Sequence, residues 1–280
     1  MDASNVSYSN TEVVLAEKIA DQVLLLTFNR PEKLNAISPQ LLAELMQLIE
    51  QVNLDRDVRV VLLTGAGKGF CSGADLSSRD GPGAIPGTEG MGELGFIYKY
   101  QEYLAKAMMA LHQCDKPVIA VVNGAAVGGG LAFSLACDFR VASTKARFGS
   151  VFIKTGLSSC DVGTSFFLPK LIPPTMALEL MTTGRIFSAQ EAQQLGLLNR
   201  LVEPEQLMDA ALELAQQIVD NSEYGVWMTK KGFWQNLTAQ NLQQAMEIEN
   251  RTQVLGCFTG CMDASMDAFA KGEKPNWPRL

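Results

Sequence analysis

The sequence has 280 residues, of which 47% are hydrophobic and 19% are charged, and its net charge is −7. This acidic balance, without a basic cluster, argues against nucleic acid as a partner. No apolar run reaches the roughly 18 residues of a membrane span, and no leader peptide is recognisable, so we expect a cytoplasmic protein with no membrane partner. Six scattered cysteines and one histidine indicate reduced thiols and no metal site.

Taken in chain order, the predicted elements form an α/β core followed by a helical region. Residues 1–11 are polar and are predicted to be a flexible tail. The sequence predicts strands at 13–19 and 23–28 that are joined by a turn. Continuous apolar runs predict buried strands at 58–64 and 118–122, each preceded by a helical pattern. Strands alternate with helices up to about residue 204, which indicates a largely parallel sheet. Helical patterns then follow at 205–220, 223–236 and 238–270.

Three consecutive glycines, Gly128, Gly129 and Gly130, stand between the strand that begins at Val118 and a helix that is apolar on all sides. One interpretation is that they let a ligand approach the N–H groups at the start of the helix, where negative charge is stabilised. The other is a tight turn with close packing of strand on helix. The glycines alone do not decide between the two.

Several common catalytic motifs are absent. Gly65-Ala-Gly-Lys-Gly lacks the Ser or Thr that a phosphate loop has after its lysine, and no dinucleotide fingerprint occurs. A Ser-His-Asp hydrolase would need His112, which we interpret as a surface histidine near the end of a helix that spans about 96–113.

Five segments, in family order, resemble the crotonase superfamily, the enoyl-CoA hydratase/isomerase group. They are residues 29–36, 69–76, 116–130, 137–143 and 183–198. The resemblance covers roughly residues 12–280 and implies a spiral of ββα units over 12–204. It further implies that residues 205–280 form a helical region used for assembly into a homotrimer or homohexamer.

The resemblance also implies an acyl-coenzyme A thioester as the ligand, with no cofactor beyond the coenzyme A of the substrate. The backbone N–H groups of Ala74 and Gly129 would hold the thioester oxygen as an oxyanion hole. The remaining residues expected to bind coenzyme A are Lys33, Ala36, Ser72, Gly73, Asp75, Leu76 and Gly128. Lys271 and Lys274 are candidates for the tail lysine that the family often adds, or are simply solvated charges.

The sequence departs from the hydratase pattern at both catalytic carboxylates. Ala132 and Phe152 stand where hydratases of the family carry two glutamates, and neither side chain can activate a water molecule. Asp161 lies in a segment that resembles the dienoyl-CoA isomerases, where an aspartate moves a proton along the acyl chain. The alternative is that Asp161 caps the following helix.

These observations predict an acyl-CoA enzyme that stabilises a thioester enolate, with proton transfer or double-bond isomerisation favoured over hydration. A non-catalytic acyl-CoA-binding protein that has lost the glutamates is the main alternative. A thioester lyase or hydrolase that uses a water held in the oxyanion hole is a third.

Overall fold

The computed structural model describes residue 8 and residues 11–75 and 81–280. Within these residues the chain forms ten strands and ten α-helices. The strands are β1 (Val14–Ala20), β2 (Val23–Phe28), β3 (Val60–Gly65), β4 (Gly69–Cys71), β5 (Val118–Val122), β6 (Ala125–Val127), β7 (Phe139–Ser143), β8 (Arg147–Gly149), β9 (Phe187–Ser188) and β10 (Arg200–Val202).

The helices are α1 (Pro39–Leu54), α2 (Glu93–His112), α3 (Gly129–Ala136), α4 (Thr164–Leu171), α5 (Pro174–Thr183), α6 (Ala189–Gln194), α7 (Leu207–Val219), α8 (Glu223–Asn236), α9 (Leu242–Gly256) and α10 (Cys261–Lys271). Most of the predicted tail, and the predicted ligand residue Leu76, lie outside the described residues.

The ten strands form two sheets. The first has the order β1-β2-β3-β5-β7-β10 and is parallel except for the β1–β2 pair. The second has the order β4-β6-β8-β9, and only its β8–β9 pair is antiparallel. Each of the successive pairs β3/β4, β5/β6 and β7/β8 gives one strand to each sheet. The chain therefore winds as a spiral, and the predicted α/β fold is confirmed.

Both faces of the first sheet are covered, which explains its long apolar runs. Val61 and Leu63 of β3 point into the cluster formed with α1, whereas Val60 and Leu62 point into the cluster formed with α7. Side chains alternate along a strand, so a strand that is buried on both faces needs apolar residues, or polar ones with a hydrogen-bond partner, at every position. All six residues of β3 are buried accordingly.

The prediction of a single helix over 238–270 is wrong. α9 begins at Leu242, where the Asn241 side chain accepts a hydrogen bond from the Gln244 N–H, and ends at Gly256. Gly260 then adopts φ +75°, and α10 begins at Cys261. A left-handed glycine cannot continue a right-handed helix, so the helical pattern is divided in two. α2 also begins earlier than predicted, at Glu93.

Candidate active site

Close packing accounts for part of the glycine triplet. Gly128 has φ +55° and ψ −123°, and its N–H donates to the carbonyl oxygen of Gly149 at 2.9 Å. A Cβ added to Gly130 would overlap the backbone of Cys71, since α3 lies directly against β4. The turn and the strand–helix contact thus require glycine at these two positions. Burial in this contact raises the pKa of the Cys71 thiol to about 12.

The segment 72–75 meets the start of α3 at Gly73. This glycine has φ +89°, and a Cβ on it would lie 3.0 Å from the Val127 carbonyl oxygen and 3.3 Å from the Gly129 nitrogen. Gly129 is the first residue of α3, so its N–H has no acceptor within the helix. The structure therefore brings the backbone around Ala74 next to the first N–H groups of α3.

The orientation of Ala74 follows from a short parallel bridge to Ile37. The Ile37 N–H donates to the Gly73 carbonyl at 2.8 Å, and the Asp75 N–H donates to the Ile37 carbonyl at 3.1 Å. Backbone polar groups alternate in direction along an extended segment. The N–H and C=O of Ala74 therefore point away from Ile37, and Ala74 itself is exposed.

The loop 29–36 is held against this segment by two side chains that sequence reasoning missed. Asn35 is fully buried, accepts a hydrogen bond from the Arg30 N–H at 2.9 Å and donates to the carbonyls of Ala66 and Gly69. The Arg30 guanidinium pairs with the Asp75 carboxylate at 2.8 Å. The φ of +57° at Asn35 suits asparagine better than most residues, which is the signal that could have identified it.

The predicted coenzyme A residues of the N-terminal half lie together. Lys33 is exposed in the short 3₁₀ helix Pro31–Lys33. Its carbonyl oxygen accepts hydrogen bonds from the Ala36 N–H at 3.1 Å and from the Ser72 hydroxyl at 3.4 Å. Gly73 and Asp75 lie in the same segment as Ser72. Lys274 behaves differently, since its ammonium pairs with Asp220 at 3.3 Å and remains largely exposed.

The two positions that lack glutamates are apolar in space as well. Ala132 is fully buried inside α3. Phe152 lies in the 3₁₀ helix Val151–Thr155, and a Cβ added to Gly128 would lie 3.9 Å from its Cε1 atom. Neither position 132 nor position 152 therefore supplies an acid or a base to the candidate site.

Asp161 lies in the loop between this 3₁₀ helix and α4. The Ser159 hydroxyl donates to the Ser150 carbonyl at 3.3 Å and so holds the loop at the end of β8. The Asp161 carboxylate accepts a hydrogen bond from the Gln101 side chain of α2. The N-cap of α4 is Gly163, with no side-chain cap, so the alternative that Asp161 caps this helix is wrong.

His112 is half-buried and is not a surface residue as predicted. Its ring contacts Trp234 and Phe167, with ring centroids 4.6 and 4.9 Å away. Burial lowers the pKa of His112 below its ordinary value. In the described part of the chain, no three His, Cys, Asp or Glu side chains converge as metal ligands. None of the helices described here has the length and apolar character to cross a membrane.

Crystal structures of enoyl-CoA hydratase proteins share this fold. The model of the enoyl-CoA hydratase/isomerase family matches residues 18–279, and the chain belongs to this family.

Three similar proteins illustrate its range. A probable enoyl-CoA hydratase, EchA12 of Mycobacterium tuberculosis, is 39% identical over 95% of this chain and 93% of its own length. The crystal structure of a probable enoyl-CoA hydratase/isomerase from Mycobacterium abscessus has a TM-score of 0.89 and 33% identity, with 96% and 99% of the two chains covered. A monofunctional enoyl-CoA isomerase from M. smegmatis has a TM-score of 0.70 and 36% identity, with 84% and 98% covered.

Proposed function

We propose that the protein binds an acyl-coenzyme A thioester and stabilises its enolate with the backbone N–H groups of Ala74 and Gly129. The observation that carries this proposal is the approach of Gly73 to the Gly129 nitrogen, together with the outward direction of the Ala74 peptide. Two N–H groups on separate, rigidly held segments can then converge on one oxygen atom.

The chemistry of a thioester needs such a pair of donors. Removal of a proton next to the thioester carbonyl, or along a conjugated acyl chain, moves negative charge onto the carbonyl oxygen. Fixed donors stabilise this charge without reorganising, and one donor of this kind is typically worth about 3 kcal/mol. The positive end of the α3 dipole adds to the same effect.

The coenzyme A end of the ligand would lie along the loop 29–36 and residues 72–75. Lys33 offers a cation for phosphate groups, and the contact of Ser72 with the Lys33 carbonyl keeps the two segments adjacent. Leu76 and Gly128 complete the proposed set. No cofactor apart from the coenzyme A of the substrate is needed for this chemistry.

Asp161 is the proposed proton-transfer group, and double-bond isomerisation is the proposed reaction. The carboxylate would take a proton from one carbon of the acyl chain and return it to another, so that no atom is gained or lost. Its support is that the Asp161 side chain is not used as a helix cap, while Ala132 and Phe152 offer no carboxylate.

Hydration is the second candidate, and the names of similar proteins favour it. A water molecule would then have to be activated without the usual pair of glutamates, and Asp161 would have to act alone. A protein that binds acyl-CoA without converting it is the third candidate.

The test is incubation with 2-enoyl-, 3-enoyl- and dienoyl-CoA thioesters in deuterated water, read by mass spectrometry. We expect deuterium uptake without the mass of an added water. Asp161→Asn should lower this exchange at least about 1,000-fold, equivalent to about 4 kcal/mol, while Asp21→Asn, in the exposed β1–β2 turn, should not change it. A gain of water would establish hydration instead, and binding without any change would favour the non-catalytic alternative.

We further propose assembly into a homotrimer or homohexamer through the C-terminal helices. α8 and α9 contain no buried residue in the single chain, and Phe258 and Phe269 are 85% and 90% exposed. Large exposed aromatic side chains such as these are typical of surfaces that are covered in an oligomer. Sedimentation equilibrium measures the subunit number directly, and a monomer at micromolar concentration would contradict the proposal.

A further inference from the structure

The hydrogen bond from Gln101 to Asp161 joins two elements that are 60 residues apart in the sequence. We infer that Gln101 is a positioning residue that orients the Asp161 carboxylate for proton transfer. This inference rests on the proposed function, in which Asp161 moves the proton, and it assigns a task to a residue of α2 that sequence reasoning did not consider.

Gln101 contacts one of the two oxygens of the Asp161 carboxylate. The Gln101 amide donates to Oδ1 of Asp161, and no other group among the described residues donates to this carboxylate. Oδ2 is therefore left to face a proton on the ligand. A neutral amide can hold the carboxylate in one orientation without adding a charge that would weaken it as a base.

The backbone that follows Asp161 is also held in place. The next residue, Val162, is 8% exposed, packs in the main hydrophobic cluster and has φ +38°. A β-branched residue in this region is strained, and it persists only where surrounding contacts force it. Buried Val162 thus fixes the main chain next to Asp161, and Gln101 of α2 fixes the Asp161 carboxylate. The loop would otherwise leave this side chain free to rotate.

The neighbours of Gln101 on α2 are apolar and exposed. Leu94, Ile97 and Tyr98 precede it by seven, four and three residues, so they share its face of α2. All three are more than half exposed. An acyl chain beside the Asp161 carboxylate would cover this apolar face, which is consistent with a ligand passing along the side of α2 that carries Gln101.

The consequence is a specific split in the kinetic constants. Gln101→Met keeps the length of the side chain and removes the donor. We expect kcat for deuterium exchange to fall about 10-fold while KM stays within twofold, because the carboxylate loses its alignment but the ligand keeps its contacts. Gln101→Asn, which retains the amide on a shorter stem, should also lower kcat. Gln113→Met, at the exposed end of α2, is the matched control and should not change kcat.

A double-mutant cycle then tests whether Gln101 acts through Asp161. In the Asp161→Asn background, the residual exchange that the backbone donors support should change less than twofold when Gln101→Met is added. An equal loss in both backgrounds would overturn the inference, as would a raised KM with unchanged kcat, or a kcat equal to that of Gln113→Met. Coenzyme A binding by each variant confirms that it is folded.

The outcomes separate this inference from the proposed function. If Asp161→Asn turns over normally, Asp161 is not the proton-transfer residue and the role of Gln101 falls with it. If Asp161→Asn loses turnover and Gln101→Met does not, only the role of Gln101 is wrong.

Discussion

The start of α3 and the C-terminal helices hold their apolar residues in opposite ways. Every residue of α3 is buried, and its position is fixed by the close approach of Gly130 to Cys71 and of Gly129 to Gly73. α8 and α9 have no buried residue. α8 contacts the core through the ring of Trp234, which packs against His112 and Phe167, and through Asp138, whose carboxylate pairs with Lys230 and accepts a hydrogen bond from Trp234.

The difference separates a region whose packing is complete within one chain from a region whose apolar surface remains exposed in one chain. Close backbone packing sets the candidate oxyanion hole within one chain. The C-terminal helices contact the core through a small number of side chains and leave apolar surface exposed. Substitutions in the two regions should therefore differ in size and in the property that they change.

The largest contrast is expected in thiol reactivity. With its pKa raised to about 12 by burial, Cys71 is ionised to only about one part in 10⁴ at pH 8, roughly 1,000-fold less than an ordinary thiol. Iodoacetamide at pH 8 should modify exposed Cys160 within minutes and Cys71 only in denaturant. Mass mapping of the labelled peptides measures this, and early labelling of Cys71 would show that the α3 region opens readily.

A methyl group at Gly130 should have the next largest effect. Gly130→Ala places a Cβ on the backbone of Cys71, so either β4 or α3 must move. We expect a loss of about 3 kcal/mol in the free energy of unfolding, measured by urea denaturation. Gly232→Ala is the control, since a Cβ there meets no atom within 4 Å and should stabilise α8 by up to about 1 kcal/mol. Equal effects at the two sites would contradict the comparison.

Removal of the buried cation should show how much α8 depends on its polar anchor. Lys230 and Asp138 are each 8% exposed and lie 2.7 Å apart. Lys230→Met leaves the Asp138 carboxylate with neutral donors only, and we expect a loss of about 2 to 3 kcal/mol in unfolding free energy. Lys231→Met breaks the exposed pair with Asp115 and should cost less than about 1 kcal/mol.

A charge on the exposed surface should have the smallest effect on folding. Phe269→Glu changes a side chain that is 90% exposed, so the unfolding midpoint of the isolated chain should stay nearly constant. If this surface is an interface, the subunit dissociation constant should rise about 10-fold or more. Sedimentation at several protein concentrations separates the two quantities, with Asp267→Asn on the same helix as the control.

The sequence predicted the long buried elements well, because their signals are continuous. The runs in β2, β3 and β5 are apolar on both faces, and Ser38 caps α1 as its Ser-Pro pair indicates. β4 and β6 were missed, since each has three residues and adjoins glycines, so no alternating pattern can develop. Gly260 was overlooked within an otherwise helical pattern.

Residues of the candidate site could be predicted where they lie within a sequence motif. Contacts between side chains that are far apart in the sequence could not be predicted. Motif resemblance pointed to Ala74, Gly129 and Asp161, and these assignments remain predictions. The pairing of Arg30 with Asp75, or of Gln101 with Asp161, depends on how the spiral stacks its turns. A single sequence contains no record of which exposed polar residue meets which.

The strand order of the two sheets bears on how the protein could be made. Apart from β4, which begins the second sheet, each new strand from β2 to β10 is placed beside one already synthesised, and none is inserted between two strands that are already paired. Ribosomes deliver a chain from its N-terminus at about 5–20 residues per second. Both sheets can therefore grow outward from an existing edge during translation, and the last strand of the main sheet, β10, is delivered just before α7.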